Sequence, residues 1–399
     1  MTATLSFGNS SKKARFGQPA ETVESKPLII MSSTLIKVGL VGCGNIAEKA
    51  YLPYTKEQQN SYEIVACCDV HTEAAKTLAE KFNIKRVHES AESLLADPEI
   101  DVVLNLTHPA GHASLNLQAL EAGKHVYCEK PFALNLDEAK AVLETAEKRE
   151  LTAGCAPDTV LGSGTQTTRA TIEKGAIGEP KFGHIRMASP GHEHWHPNPS
   201  FYYQEGGGPL LDMGPYYLAA LIHCLGPIRS VEGRAVKGFE QRTIVSQPLH
   251  GTQIPVECPT HYVGSIETES GVILQTLFSF DMMFGGEGGT CLPEFYGTEG
   301  AIRGTNPNRF DGLPVLNQQI RNYDFNEVEA THDYSCGRGI GLVDMVQAIR
   351  EGREPRASAR TAFHALEAML AFHESEKTGQ RIEIKSSCHK PPLMPFDGL

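Results

Sequence analysis

The chain has 399 residues and a formal net charge of −12, an acidity that argues against nucleic acid or an anionic membrane as partner, since both require a basic face. Apolar residues are 40% and charged residues 21%, the balance of a soluble globular protein, and no apolar run approaches the length of a membrane-spanning helix. The ten cysteines are scattered without CxxC or zinc-type spacing, which fits reduced thiols in a cytoplasmic protein.

Residues 1–33 are polar, lack hydrophobic periodicity and contain no apolar core of a secretory signal, so they read as a disordered extension. Glu21 and Glu24 count against an organellar transit peptide. From Leu35 to Cys155 strand and helix patterns alternate: "LIKVGLV", a helix that Pro53 interrupts, "EIVACCD", "TEAAKTLAEKF", "AESLLAD", "DVVLNLT", "GHASLNLQALEAG", "HVYCEK", "NLDEAKAVLETAEKRE" and "TAGCA". Such alternation predicts an α/β Rossmann domain over 34–157, with a parallel sheet covered on both faces. Beyond Pro157 a helix is followed by longer strand runs, with "ETESGVILQ" reading as a hairpin around Ser270 and Gly271. The region 158–399 is therefore expected to be an α+β substrate-binding and oligomerisation domain built on a large, mostly antiparallel open sheet, closed by two helices and a loop-like tail.

The first strand runs into "VGCGNIA", a G-x-G-x-x-A turn at a helix start. Gly42 allows the tight turn, Gly44 lets a pyrophosphate approach the backbone, Asn45 and Ile46 lie at the helix start, and Ala47 keeps helix and strand close. The second strand ends in Asp69, about 20 residues further on, where a ribose-binding acid is expected. Asp69 would accept from both ribose hydroxyls and repel a 2′-phosphate, and the nearest basic candidate is His71, so NAD is favoured over NADP. A strand-capping aspartate is the alternative.

The stretch "GKHVYCEKPFA" ends an apolar strand with Glu129, Lys130 and Pro131. A surface ion pair would explain the charges; a lysine held rigidly at the carboxyl edge of the sheet would explain them as a ligand site. Together with "GCGNIA", "THPAGH", "GAIGEP", "GGGPLLDMGPYYL", "YGTEGAI" and "GRGIGLVDMVQAI", this stretch resembles the Gfo/Idh/MocA oxidoreductase family from Ile36 to about Pro392. The resemblance implies that Lys130 lies between nicotinamide ribose and substrate, that Glu129 and Pro131 fix its turn, and that Thr107, Pro109 and His112 border the cofactor. For His112 a satisfied core hydrogen bond is an equal alternative. Family members commonly carry Asp and, four residues later, His on one helical face; here these positions are Asp212 and Tyr216, as in the branch with glucose–fructose oxidoreductase and dimeric dihydrodiol dehydrogenase. Tyr216 is then expected to exchange the hydroxyl proton with its pKa brought down from ~10 by Lys130, Lys130 to polarise the oxygen, and Asp212 to orient one of them. Packing alone would also account for Tyr216. Asp158 is expected either on a substrate hydroxyl or as a helix cap, and Arg338 receives no role.

In "SPGHEHWHPNPSFYYQEGGG", an extended chain would bring His192, His194 and His196 to one face for zinc, but Pro197 and Pro199 favour a loop and no metal is expected. The loop is instead expected to line the substrate pocket with His194, Trp195, His196 and Tyr203. The expected activity is hydride transfer between NAD and a secondary alcohol or ketone of a sugar, glycoside or cyclitol, in a homodimer or homotetramer. An NAD-retaining glycosidase acting by transient oxidation and a non-catalytic dinucleotide-binding regulator are the competing readings.

Overall fold

The computed structural model describes residues 35–55, 61–283 and 292–399; the expected N-terminal extension, 1–33, lies outside the described residues. A six-stranded parallel sheet is formed by β1 (Ile36–Val41), β2 (Tyr62–Cys68), β3 (Arg86–Val87), β4 (Val102–Asn105), β5 (His125–Cys128) and β6 (Ala153–Cys155), in the order β3-β2-β1-β4-β5-β6. Its central strands are mostly apolar and buried on both faces, as β4 illustrates with all four residues buried. The order reverses between β1 and β4, which opens a crevice at their carboxyl ends.

The first crossover winds as a π-helix over Ala47–Tyr51 and continues as α1 (Leu52–Thr55). Pro53 has no N–H to donate to the preceding turn, and the expected interruption takes the form of a change of winding from π to α at this point. The remaining helices of this half are α2 (Thr72–Phe82), α3 (Ala91–Leu95), α4 (His112–Glu121) and α5 (Leu136–Lys148). Asn135 caps α5 by accepting the Glu138 N–H at 2.9 Å.

After α6 (Ser163–Glu173) come β7 (Pro180–Ala188), α7 (Gly208–Leu225), β8 (Ile228–Val236), β9 (Gln241–Thr243), β10 (Gln253–Pro255), β11 (His261–Thr268), β12 (Ile273–Ser279), β13 (Glu294–Gly297), β14 (Ala301–Arg303), β15 (Val315–Asn317) and β16 (Asn326–Glu327). Helices α8 (Ile340–Glu351) and α9 (Ala359–Thr378) and the short β17 (Ile382–Glu383) complete the chain. Nine strands form the second sheet in the order β16-β15-β14-β13-β7-β12-β11-β8-β17, antiparallel except for the β7–β12 pair. The hairpin at Ser270 and Gly271 joins β11 to β12, with Gly271 at φ +84°. Helix α7 is largely buried, packs against α9, and presents its first turns to the end of β5. The tail is irregular but anchored: Arg356 donates to the carbonyls of Pro392 and Leu393, and the Met394 N–H to Gln166.

Candidate active site

The crevice begins where β1 turns. Gly42 has φ +97°, and a Cβ there would stand 2.5 Å from the Leu106 carbonyl oxygen after β4, so no side chain is tolerated. At Gly44 the opposite holds: a Cβ would meet nothing within 4 Å, and Gly44, Asn45 and Ile46 form an open rim over a helix start. An anion can approach that backbone closely. Asp69 faces the same loop, its Oδ2 accepting the Cys43 N–H at 2.7 Å and its Oδ1 the His71 N–H at 2.8 Å. Each carboxylate oxygen retains a second lone pair for a ribose hydroxyl. These residues fit a dinucleotide, with Gly44 open to the pyrophosphate and Asp69 available to the ribose.

On the β4 side, Thr107 donates to Asn105 Oδ1 at 2.6 Å, and Pro109 opens a short 3₁₀ turn. His112 is 1% exposed, with Nδ1 at 2.7 Å from the Pro131 carbonyl and Nε2 at 3.0 Å from that of Thr107. Burial lowers its pKa against the pull of these two carbonyls. It couples the Thr107 turn to the lysine turn, the core-bonded alternative of the two weighed from sequence. Glu129 is likewise an anchor. Its Oε1 accepts from the Tyr51 hydroxyl at 2.9 Å and lies 3.5 Å from Arg338 Nη1, while Oε2 accepts the Lys130 N–H at 3.0 Å.

The turn so fixed delivers Lys130 to α7. Its Nζ donates to Asp212 Oδ1 and to the Asp212 carbonyl, both at 2.8 Å. Asp212 Oδ2 lies 3.2 Å from His192 Nε2. One turn along the helix, the Tyr216 ring centre is 5.2 Å from Lys130 Nζ and 5.6 Å from the Arg338 guanidinium. The Lys130 and Asp212 side chains keep 17% and 15% of their surface exposed, so the pair can be reached from the crevice. Burial disfavours the ammonium, but Asp212 and Tyr216 beside it lift the Lys130 pKa above its ordinary value. Burial also disfavours the carboxylate, yet Lys130 and His192 hold Asp212 well below the usual range. The pair is a fixed ammonium and carboxylate, a polarising arrangement rather than a proton reservoir.

Of the residues expected at the substrate, Asp158 follows its helix-cap alternative, on α8, and Tyr203 is buried and bonded elsewhere. Asp158 is 0% exposed; its Oδ2 accepts the N–H groups of Gly339 at 2.7 Å and Gly341 at 3.2 Å, capping α8 and fixing the backbone that directly follows Arg338. Burial raises its pKa. Tyr203 is also 0% exposed and donates its hydroxyl to Glu193, beneath the histidine loop. The loop is not extended: His192–His194 form a 3₁₀ turn that sends the three imidazoles to different partners. His192 meets Asp212, His194 Nε2 lies 3.5 Å from Glu193 Oε1, and His196 Nδ1 accepts the Asn198 N–H at 3.1 Å. Among the described residues no group of three ligating side chains could hold a metal ion. Trp195 is 62% exposed at the mouth of the site.

The sequence reading missed His192 as an Asp212 partner and left Arg338 without a role. The only available signals were the alternating histidines and an arginine between two glycines. It also missed Arg242 on β9. That guanidinium binds Glu193, Asp281 and the carbonyls of Pro190 and Phe280, all beneath the turn that carries His192.

A glycine-lined dinucleotide crevice, bordered by a lysine locked as an ammonium over a carboxylate, defines a nicotinamide-dependent oxidoreductase of Rossmann type. Residues 36–156 match the model of an oxidoreductase family with an NAD-binding Rossmann fold, and residues 165–303 match the GFO/IDH/MocA C-terminal domain. The chain belongs to the GFO/IDH/MocA family, and its cofactor is NAD. It is 25% identical to D-glucoside 3-dehydrogenase of Escherichia coli over 371 residues, covering 89% of this chain and 99% of that protein. The fold is similar to that of an NAD-binding oxidoreductase from Klebsiella pneumoniae, with TM-score 0.77, 21% identity and coverage of 88% and 100% of the two chains. A levoglucosan dehydrogenase solved with NADH and levoglucosan gives TM-score 0.75 and 21% identity, over 88% of this chain and 100% of that one.

Proposed function

We propose that the protein is an NAD-dependent dehydrogenase or reductase acting at a secondary carbinol or ketone of a sugar, glycoside or cyclitol. The observation that carries this reading is the Lys130–Asp212 pair beside the Tyr216 ring, at the carboxyl edge of β5. NAD, when bound, accepts or supplies the hydride. Lys130 presents a permanent positive charge to the substrate oxygen and stabilises negative charge developing there. Tyr216 takes or returns the hydroxyl proton. Asp212 holds both the Lys130 ammonium and the His192 imidazole, and Arg338 packs on the Tyr216 ring. The names of relatives, glucoside and levoglucosan dehydrogenases among them, support a carbohydrate substrate.

Residues 34–157 are then the cofactor domain and 158–399 the substrate and oligomerisation domain. A homodimer or homotetramer is supported by the open face of the second sheet. There Tyr296, Phe182 and Ile273 stand abreast on β13, β7 and β12, 37%, 61% and 49% exposed. A cytoplasmic location fits the nine described cysteines, which are all unpaired. The first test is growth of reduced-nicotinamide absorbance with NAD or NADP and a panel of sugars, glycosides and cyclitols. A signal with NAD and one carbohydrate class is expected. Aglycone release without net NADH would replace the reading by transient-oxidation glycoside cleavage, and silence in both assays by a regulator.

A further inference from the structure

The wall above the Lys130–Asp212 pair is a closed circuit of five aromatic rings. His192 stacks on Tyr202 at 3.9 Å and Tyr202 meets Phe201 at 4.0 Å. Phe201 meets His196 at 5.5 Å, His196 meets Trp195 at 5.3 Å, and Trp195 returns to His192 at 5.2 Å. The circuit is graded. At its inner end His192 is 8% exposed and touches Asp212; at its outer end Phe201 is 38% and Trp195 62% exposed. His108, on the turn after β4, extends it with an edge contact to Phe201 at 5.9 Å.

This platform is rigid. The His196 and Trp195 N–H groups both donate to the His192 carbonyl, at 2.9 and 3.2 Å. Ser246 Oγ donates to the His196 carbonyl at 2.5 Å, and the N–H groups of Val245 and Ser246 donate to the Glu193 carbonyl at 2.9 and 3.0 Å. Beneath it Arg242 is clamped between Glu193 and Asp281. A scattered exposed aromatic needs no explanation, but a preorganised apolar patch continuous with an active site marks a binding surface. No carboxylate or ammonium belongs to the circuit, so its complement is a neutral, flat, apolar face. A substrate ring placed on Lys130 and Tyr216 leaves the exposed end of the circuit to whatever that ring carries.

Resting on the oxidoreductase reading above, we propose that Trp195 and Phe201 form a second subsite that takes a ring-shaped aglycone. The substrate is then a glycoside with an aryl or second pyranosyl group rather than a free monosaccharide. Both groups offer the flat apolar face that stacks on an indole.

The chain has one tryptophan, so its intrinsic fluorescence reports on this patch directly, without turnover. The full-length protein without NAD is titrated with methyl, phenyl and cellobiosyl probes: methyl β-D-glucopyranoside, phenyl β-D-glucopyranoside and cellobiose. Emission is expected to shift and saturate with phenyl glucoside or cellobiose at concentrations where the methyl glucoside leaves it unmoved. Which of the two responds distinguishes an aryl from a saccharide aglycone. With NAD present, the ratio of kcat/KM for the better of these probes over methyl glucoside is expected to be about tenfold, the scale of one aromatic contact. It should collapse towards unity in Trp195→Ala through KM, and recover in Trp195→Phe, which also guards against a folding defect. Absence of any saturable shift, equal loss for all three probes, or a shift that follows protein concentration alone would overturn the subsite. Absence of NADH with every probe alongside a saturable shift would overturn the dehydrogenase reading and leave the subsite standing.

Discussion

The two walls of the crevice are made by opposite means. The cofactor wall is shaped by missing side chains: Gly42 lies where a Cβ would strike Leu106, Gly44 opens onto empty space, and Asp69 lies one strand away. The substrate wall is shaped by side chains that hold one another. Lys130, His192, Arg338 and the Asp212–Tyr216 pair of α7 come from four separate stretches of chain and meet through charge and ring contacts. A wall made of backbone is local and should fail locally. A wall made of interlocked charges should fail as a unit, because each removal leaves a buried charge without its partner.

The sharpest test of that difference is Lys130→Met. It removes the charge that faces the substrate oxygen and leaves the Asp212 carboxylate partly buried beside His192 alone. Turnover is expected to fall by about 10²–10³, the scale for losing one preorganised electrostatic group. NADH affinity, read by its fluorescence on binding, should change far less. An equal loss in both would place Lys130 chiefly on the cofactor and merge the two walls.

Arg242→Met probes the same wall from below. The guanidinium is 5% exposed at residue level and pairs with Glu193 and Asp281. Removing one member of a buried ionic network costs about 3–5 kcal/mol, which a denaturant melt would report. Since the Glu193 turn also carries His192, sugar kcat/KM should fall with it while NADH affinity holds. A double-mutant cycle with Glu193→Gln should give a coupling above about 1 kcal/mol. Additive losses would mean that the loop is held elsewhere.

This asymmetry also explains what could be read from sequence. Gly42 and Gly44 follow directly on β1 and Asp69 on β2, and they obey a backbone rule, so spacing alone singles them out. The fold was legible for a related reason: β1, β2, β4 and β5 are apolar runs with helical periods between them. The Asp212–Tyr216 pair was legible through the family resemblance, and its four-residue spacing puts both on one helix face. His192 was not, because its partner Asp212 is brought to it by the packing of α7 against the second sheet, which periodicity does not encode. Asp158, left open between substrate contact and helix cap, and Tyr203, expected in the pocket, show the converse. A polar residue next to an active-site segment looks available until the helix cap or the buried carboxylate that occupies it is seen.

On the cofactor wall the expected effects are smaller and separable. Gly44→Ala adds a methyl that meets no protein atom within 4 Å, so stability should change by no more than about 0.5 kcal/mol. The KM for NAD should nevertheless rise roughly tenfold if the pyrophosphate approaches that backbone. Gly42→Ala should behave differently. With φ +97° and the Leu106 oxygen 2.5 Å from the new Cβ, it must lower stability as well. If Gly44→Ala left the KM for NAD unchanged, the open rim would not be the pyrophosphate seat.

The smallest effect expected is a flat one, in the pH profile. Asp212 has its folded pKa depressed, so the stability it contributes is present above the unfolded carboxylate value near ~4 and is lost only as pH falls through its folded value. Lys130 has its folded pKa raised, so its contribution is present below the unfolded ammonium value near ~10.4 and is lost as pH rises through the folded one. Between roughly 4 and 10, then, neither partner changes its protonation state. Any break in kcat/KM inside that window belongs to another group, and it should remain visible, at lower amplitude, in Lys130→Met. A break that vanished with the lysine would show that the pair exchanges a proton during turnover, and Lys130 would then be an acid rather than a fixed charge.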